Sequence, residues 1–282
     1  MAEIPLSLGL DGQALRPDYV LKCSYGNDSI ALIQWIHEYD LKHQLGKVVV
    51  LYNDTGWSSA EWPARVLRGE SLARSYGFIP ERTKSIGMER LIMDHQTWPD
   101  SQMRFCTEDL KIMKTQDWLT QHDPSGLACM VCGVRREESF ARSKWPEWVQ
   151  SSDKNAGRSD WSPLVLVQVA ERDELIRRAG WEPLPHRSRE CRCILAKASD
   201  IVSWSEADIA EIEAMEAKLG RIKHQQGPNQ FMFRPHRYAG RPEGIRAVVA
   251  WAKGVMEKRA KNGIQEPAEL EPGSCDSGFC TG

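Results

Sequence analysis

Apolar and polar positions along this chain change their period repeatedly, and each change marks an element. Tyr19-Val20-Leu21-Lys22-Cys23 is a short extended run that predicts a strand, and Ser29-Ile30-Ala31-Leu32-Ile33-Gln34-Trp35-Ile36 after it is strongly helical. Val48-Val49-Val50-Leu51-Tyr52 is a continuous, largely β-branched run, as a strand buried on both faces requires. A helix is expected from Ser59 to Tyr76, a strand from Arg82 to Ile86, and helices at Met88 to His95 and Thr107 to His122. Leu127 to Cys132 reads as another buried strand, stopped by Gly133. This alternation predicts an α/β fold: a doubly wound, mainly parallel sheet.

From about Trp145 to Trp161 the composition turns polar, with Ser, Asp, Lys, Asn and Gly, which predicts a loop or lid. Beyond it, Ala170 to Ala179 and Ser205 to Leu219 read as helices, the second with Ser205 and Asp208 as start signals and Gly220 as a stop. Pro242 to Lys261 is another. The last twenty residues resemble a disordered tail except that they carry two cysteines.

At 282 residues and 32.0 kDa the chain can bury a full core. A net charge of −2 and a pI near 6.4 exclude a whole-surface basic field, so any nucleic-acid contact must be local. No apolar run approaches the roughly 18 residues of a membrane span, and no charged-then-apolar leader opens the chain, so a cytoplasmic protein without a membrane partner is expected. Eight cysteines in such a chain suggest reduced thiols, metal ligands or catalytic groups rather than a disulfide framework.

The strand at Tyr19 to Cys23 ends in Ser24-Tyr25-Gly26-Asn27-Asp28-Ser29 and runs straight into a helix. Such a turn leaves backbone N–H groups without partners at the positive end of a helix dipole, which suits a nucleotide phosphate. No lysine of a Walker-type loop is present; Asp28 stands in that neighbourhood and could help place Mg2+. Alone, the six residues would equally describe a serine-capped strand-turn-helix. Two more marked turns follow strands: Asp54-Thr55-Gly56 with Glu61 after it, and Gly133-Val134-Arg135-Arg136-Glu137-Glu138-Ser139. In an open α/β sheet, ligands bind where such turns gather.

The first turn resembles the PP-loop of the ATP pyrophosphatase superfamily, in the Ser-aromatic-Gly-x-Asp-Ser form of the phosphoadenylylsulfate (PAPS) reductase branch. The second resembles that family's Asp-Thr-Gly, and the third its Gly-x-Arg-x-x-Glu-Ser. Arg104-Phe105-Cys106-Thr107-Glu108-Asp109-Leu110-Lys111 looks like the Arg-x-Cys-Thr-x-x-Leu-Lys of the branch that holds the DNA-phosphorothioation sulfurtransferases. The resemblance covers about residues 18 to 195. It implies an adenine nucleotide, ATP or PAPS, bound by Ser24, Tyr25, Gly26, Asn27, Asp28, Ser29, Asp54, Thr55, Gly56, Gly133, Arg135 and Glu138. Arg135 would clamp a phosphate or sulfate oxygen. Asp28, Cys106, Lys111 and Arg135 become the candidate catalytic residues. Residues 1–165 are then a nucleotide-binding domain, and 166–282 a helical, cysteine-containing region packed on the site.

The chain also departs from its relatives. It lacks the Glu-Cys-Gly-Leu-His of thiol-dependent PAPS reductases and the Cys-Cys pair of assimilatory adenylylsulfate reductases. It has instead Arg189-Glu190-Cys191-Arg192-Cys193 and the tail pair Cys275 and Cys280. With Cys106 these thiols could ligate a [4Fe–4S] cluster or zinc, or be unrelated. Cys129 and Cys132 fall on opposite faces of a strand and read as core thiols, as does Cys23. Arg221, Lys223, His224, Arg234, His236, Arg237 and Arg241 interleave with Phe231, Phe233 and Tyr238, which suits single-stranded nucleic acid or plain solvated charge.

The expected activity is acceptor activation by ATP, with AMP and pyrophosphate as products, coupled to sulfur transfer, with nucleic acid one candidate acceptor. The sulfur donor would be a cysteine desulfurase or a thioredoxin-type partner. The alternatives are a thiol-dependent reductase of PAPS or adenylylsulfate, and a non-catalytic nucleotide-sensing subunit that binds nucleic acid.

Overall fold

The computed structural model describes residues 16–222, 230–233 and 243–262. The chain opens as three β/α units: β1 (Tyr19–Cys23), α1 (Asn27–His43), β2 (Val48–Asp54), α2 (Trp62–Ser75), β3 (Ile79–Lys84) and α3 (Met88–His95). A single turn α4 (Phe105–Thr107) passes through a π turn over Glu108–Ile112 into α5 (Met113–His122). Then come β4 (Cys129–Val131), β5 (Trp148–Ser152), β6 (Arg158–Trp161), α6 (Val169–Arg178), α7 (Ala198–Val202), α8 (Glu206–Ile222) and α9 (Ile245–Lys261).

The strands form one sheet in the order β3-β2-β1-β4-β6-β5. Every neighbouring pair is parallel except β5 and β6, which is the doubly wound, mainly parallel architecture that the alternating pattern predicts. Strand order reverses between β1 and β4, so the turns after these two strands flank the switch point where such folds bind ligands.

The polar stretch from Trp145 to Trp161 is not a loop or lid. It contains β5 and β6 at the sheet edge, with Met130 of β4 opposite Asp160 and Val131 opposite Trp161. Its polarity has two sources: β5 is a largely exposed edge strand, and on β6 Asp160 meets Lys22 of β1 at 2.8 Å while Arg158 meets Asp123 at 2.6 Å. Polar side chains engaged this way hide the apolar signature of a strand. The third strand begins three residues and ends two residues earlier than its pattern suggests, because β3 is an edge strand with Pro80 and a mostly half-exposed surface. The helix expected from Thr107 is interrupted by the π turn, a feature that often marks a working site.

One core joins Leu21, Val50 and Val131 of the sheet to Ile30 and Ile33 of α1, Val66 of α2, and Leu175 and Ile176 of α6. On the other face Val20, Val49, Leu51 and Met130 pack on Trp118 and Leu119 of α5. A further core gathers Trp57, Leu91, Trp98 and Leu110 with Ile201, Ile212, Leu219 and Val248 of α7, α8 and α9. Among the described residues no helix is long and apolar enough to cross a membrane.

Candidate functional site

The turn after β1 is held from inside by its own serines. Ser24 donates its backbone N–H to Ser29 Oγ at 2.9 Å, the two hydroxyls lie 3.1 Å apart, and Gly26 N–H reaches Ser24 Oγ at 3.2 Å. Tyr25 takes a left-handed φ of 58°, a conformation that costs a non-glycine residue of order 1–3 kcal/mol and persists only where the surroundings enforce it. Its ring is buried against Gly69, where a Cβ would stand 2.2 Å from Tyr25 Cδ1. Gly26 opens α1 as its N-cap residue.

Asp28, on the first turn of α1, and Arg135, after β4, are both buried and paired at 2.6 Å. Arg172 of α6 approaches the same carboxylate oxygen at 3.8 Å, and Glu137 takes Arg135 Nη1 at 3.2 Å. The structure therefore brings these two predicted residues together, but with the carboxylate turned onto guanidinium groups. Gly133 runs close beneath: a Cβ there would meet the Asp28 carbonyl at 3.0 Å. Glu138 accepts Arg135 N–H at 2.8 Å and pairs with buried Arg142, so its part is to shape the turn after β4.

A strap of residues 184–191 crosses the loop. The Asn27 side chain both donates to the Leu184 carbonyl and accepts its N–H, each at 2.9 Å. Ser188 sits on the loop glycine, where a Cβ at Gly26 would meet Ser188 Cβ at 2.8 Å. The turn after β2 ties down the other end: Thr55 Oγ1 donates to the Glu190 carbonyl at 3.1 Å, Ser59 N–H donates to the Arg189 carbonyl at 3.0 Å, and Glu61 pairs with Arg189. Asp54 is half-buried and accepts Gly56 N–H at 2.9 Å, with Gly56 at a φ of 62°. Ser59 Oγ, Arg65 Nη2 and Ser188 Oγ are buried without a hydrogen-bond partner among the described residues. Polar atoms left this way mark a place built for a polar ligand or water.

Past the strap lies a cavity. Cys106, Cys191 and Cys193 line it, with Thr55, Lys111, Ser188, Arg189 and Glu190. Lys111, in the π turn, and Glu190 form a buried ion pair on its wall. Burial pushes the Cys191 thiol well above the ordinary thiol range, against the pull of Lys111. Arg192, between the two cysteines, is buried with its guanidinium 4.1 Å over the Trp57 ring and 2.6 Å from Glu211 of α8. The cavity thus meets three of the five predicted metal ligands; Cys275 and Cys280 lie outside the described residues. Among the described residues no group of three or more His, Cys, Asp or Glu side chains is drawn together to hold a metal ion. Sulfur donors are present, but not as a ligand set.

Cys129, the first residue of β4, and Cys132, just past its end, are both buried, and burial raises both thiols, Cys132 to about 11. Cys23 is pushed up to about 12 by the same cause. Of the basic, aromatic segment only Arg221, Phe231 and Phe233 are described, the last buried against Trp204; Lys223, His224, Arg234, His236, Arg237, Tyr238 and Arg241 lie outside the described residues. Sequence reasoning missed Trp62, Arg65 and Arg172, which reach the loop and Asp28 from α2 and α6. No motif spacing signals them.

A mainly parallel sheet with marked turns at its switch point and a thiol-lined cavity beside them is the arrangement in which open α/β folds bind ligands. The chain belongs to the family of the phosphoadenosine phosphosulfate reductase domain, whose model matches residues 18–216. That is a family of nucleotide-using enzymes of sulfur metabolism. Over 141 residues the chain is 28% identical to an "Uncharacterized 37.8 kDa protein in gpa 5′ region" of Escherichia phage 186, a match covering 44% of this chain and 41% of that one. The chain therefore spans about two-fifths of the length of this curated relative. Among solved structures it is similar to the PAPS reductase of Candida auris in its phosphate complex, with TM-score 0.41 and 16% identity over 59% of this chain and 75% of that one. It is also similar to the U34-tRNA thiolase NcsA of Methanococcus maripaludis with its [4Fe–4S] cluster, with TM-score 0.45 and 12% identity over 89% and 76%.

Proposed function

We propose that the chain is a cytoplasmic PP-loop enzyme that activates an acceptor with ATP, releasing pyrophosphate, and then places sulfur at the activated position with release of AMP. One observation carries this reading. Ser188 lies on the loop glycine while Arg189, Glu190 and Cys191, which follow it, line the thiol cavity. A nucleotide on the loop and the sulfur of the cavity are then separated by a single backbone segment.

The chemistry divides accordingly. An acceptor oxygen attacks the α-phosphorus, forming a bond to AMP as the bond to pyrophosphate breaks. The terminal sulfur of a persulfide, loaded by a sulfur-donor protein, then forms a carbon–sulfur bond while AMP leaves with the oxygen. A second thiol attacks the sulfur–sulfur bond, freeing the thiolated acceptor and leaving a disulfide that an external dithiol reduces. Cys106, Cys191 and Cys193 supply carrier and resolving thiols, Cys106 being the first candidate for carrier. The protein's part in the first step is placement and charge stabilisation. Arg135 acts from beneath the loop by fixing Asp28, and Lys111 lends positive charge beside Cys191. Mg2+ arriving with the nucleotide suits Asp54, at the mouth after β2, better than Asp28, which is engaged by two arginines. A [4Fe–4S] cluster would draw on the three cavity cysteines plus Cys275 or Cys280; no step above depends on it. In this reading residues 1–165 supply the nucleotide side, and 166–282 the region that closes over it.

The test is formation of AMP and pyrophosphate from ATP in the presence of tRNA or single-stranded DNA, with sulfur incorporation followed in parallel. The family's own name supports a second reading, reductive release of sulfite from PAPS. Sulfite from PAPS and thioredoxin, with no AMP from ATP and any acceptor, would put that reading in its place.

A further inference from the structure

An anion-binding loop must turn its carbonyl oxygens away from the ligand, or their partial negative charge repels it. In this loop the two carbonyls ahead of the helix are those of Ser24 and Tyr25, because Gly26 O already accepts the first helical N–H, from Ile30 at 3.0 Å. Both are taken by side chains of one helix. Trp62 Nε1 donates to Ser24 O at 3.1 Å, and Arg65 Nε donates to Tyr25 O at 2.6 Å. One turn further along α2, Gly69 provides the notch into which the Tyr25 ring fits. Positions 62, 65 and 69 share one helix face. That face meets a residue whose left-handed φ of 58° would relax if it were not held.

From this geometry we infer that Trp62 and Arg65 are positioning residues for the phosphate loop: they hold its carbonyls outward, so that its N–H groups face the polyphosphate of an adenine nucleotide. The inference rests on the nucleotide-binding reading above. It asks more of α2 than packing. Arg65 is itself braced, lying 4.7 Å from the Trp181 ring and 5.5 Å from that of Trp62. Burial and the neighbouring Arg68 pull its guanidinium down to about 10, so it stays cationic at neutral pH. Arg68 is the natural control. It stacks on the same Trp181 ring at 4.1 Å and donates to the Gly180 carbonyl, without touching the loop.

Titration calorimetry of the full chain with ATP and with inorganic pyrophosphate, beside thermal unfolding, tests this. Trp62→Phe keeps the packing and loses the indole N–H; Arg65→Lys keeps the charge and loses the fixed Nε–H. Each is expected to weaken both ligands about five- to tenfold, the size of one lost directing hydrogen bond. The double variant should lose less than the product of the two, because both bonds hold one loop. Arg68→Met should bind like the wild type. Wild-type affinity in Trp62→Phe and Arg65→Lys, or an equal loss in Arg68→Met, overturns the inference and leaves the nucleotide reading standing. A wild-type protein that binds neither ATP, PAPS nor pyrophosphate removes both.

Discussion

The two sides of the 184–191 strap are built on opposite principles. On the loop side the loop's own side chains are tied down, Asp28 by Arg135 and Arg172, Asn27 by Leu184 and the serines by each other, while Ser59 Oγ, Arg65 Nη2 and Ser188 Oγ around them stay without a hydrogen-bond partner among the described residues. On the cavity side the wall mixes apolar residues such as Leu110, Ile194 and Trp204 with three thiols and the Lys111–Glu190 ion pair. A phosphate site must be preorganised, since donors that have to reorient give up the stabilisation they offer. A sulfur-handling site needs polarisable, mobile groups that change partners during turnover. In the proposed function the contrast separates binding from chemistry, with one backbone segment in common.

The most severe break should come on the loop side. Asp28→Ala leaves Arg135 buried without its main counter-charge and is expected to cost about 3–5 kcal/mol of stability, together with nucleotide binding; denaturant unfolding and calorimetry report both. Native-like stability would show the pair to be dispensable. Lys111→Met makes the matching change in the cavity, where Glu190 borders a lined space. A loss of about 1–3 kcal/mol is expected there, with nucleotide affinity kept and sulfur transfer lost, so that the two variants separate the two sides.

Gly26→Ala attacks the shared segment. The φ of Gly26 is −73°, open to any residue, so the whole effect is the new methyl against Ser188. About 1–3 kcal/mol is expected from such overpacking, and faster amide exchange over residues 184–190 would locate it. The gentlest probe is pH. Cys23 and Cys132 stay protonated in the folded chain to about 12 and about 11, and Cys191 also lies well above the ordinary 9.0. Unfolded thiols release their protons earlier, so stability is complete below pH 8 and falls as pH rises through 9. The three together amount to about 1 kcal/mol between pH 8 and 9. Cys191→Ser should remove only the cavity's share of that slope in unfolding titrations.

Much of this was legible in the chain. A continuous run such as Val48 to Tyr52 has one sensible fate, and the turns after β1 and β4 do meet at the switch point, with the turn after β2 tied to the strap that crosses them. What resisted reading has a common cause. The strand at Arg158–Trp161 is polar because Lys22 and Asp123, far away in sequence, complete its charges. Trp62 and Arg65 act on residues 38 and 40 positions earlier, and Asn27 finds its partner 157 positions later. Local pattern carries period and turn chemistry; it carries no record of which distant group will satisfy a buried donor. The start of α8 was readable for the opposite reason, since Ser205 and Asp208 bond each other three residues apart.

The buried guanidinium of Arg192 couples the sulfurs to a distant part of the chain. It is anchored to Asp208 and Glu211 of α8 and laid on Trp57, beside the turn after β2. Cys191 and Cys193 flank it on the same stretch of backbone. A substitution at Asp208 or Glu211 of α8 would therefore reach the stretch that carries two of the cavity's thiols without entering the cavity itself.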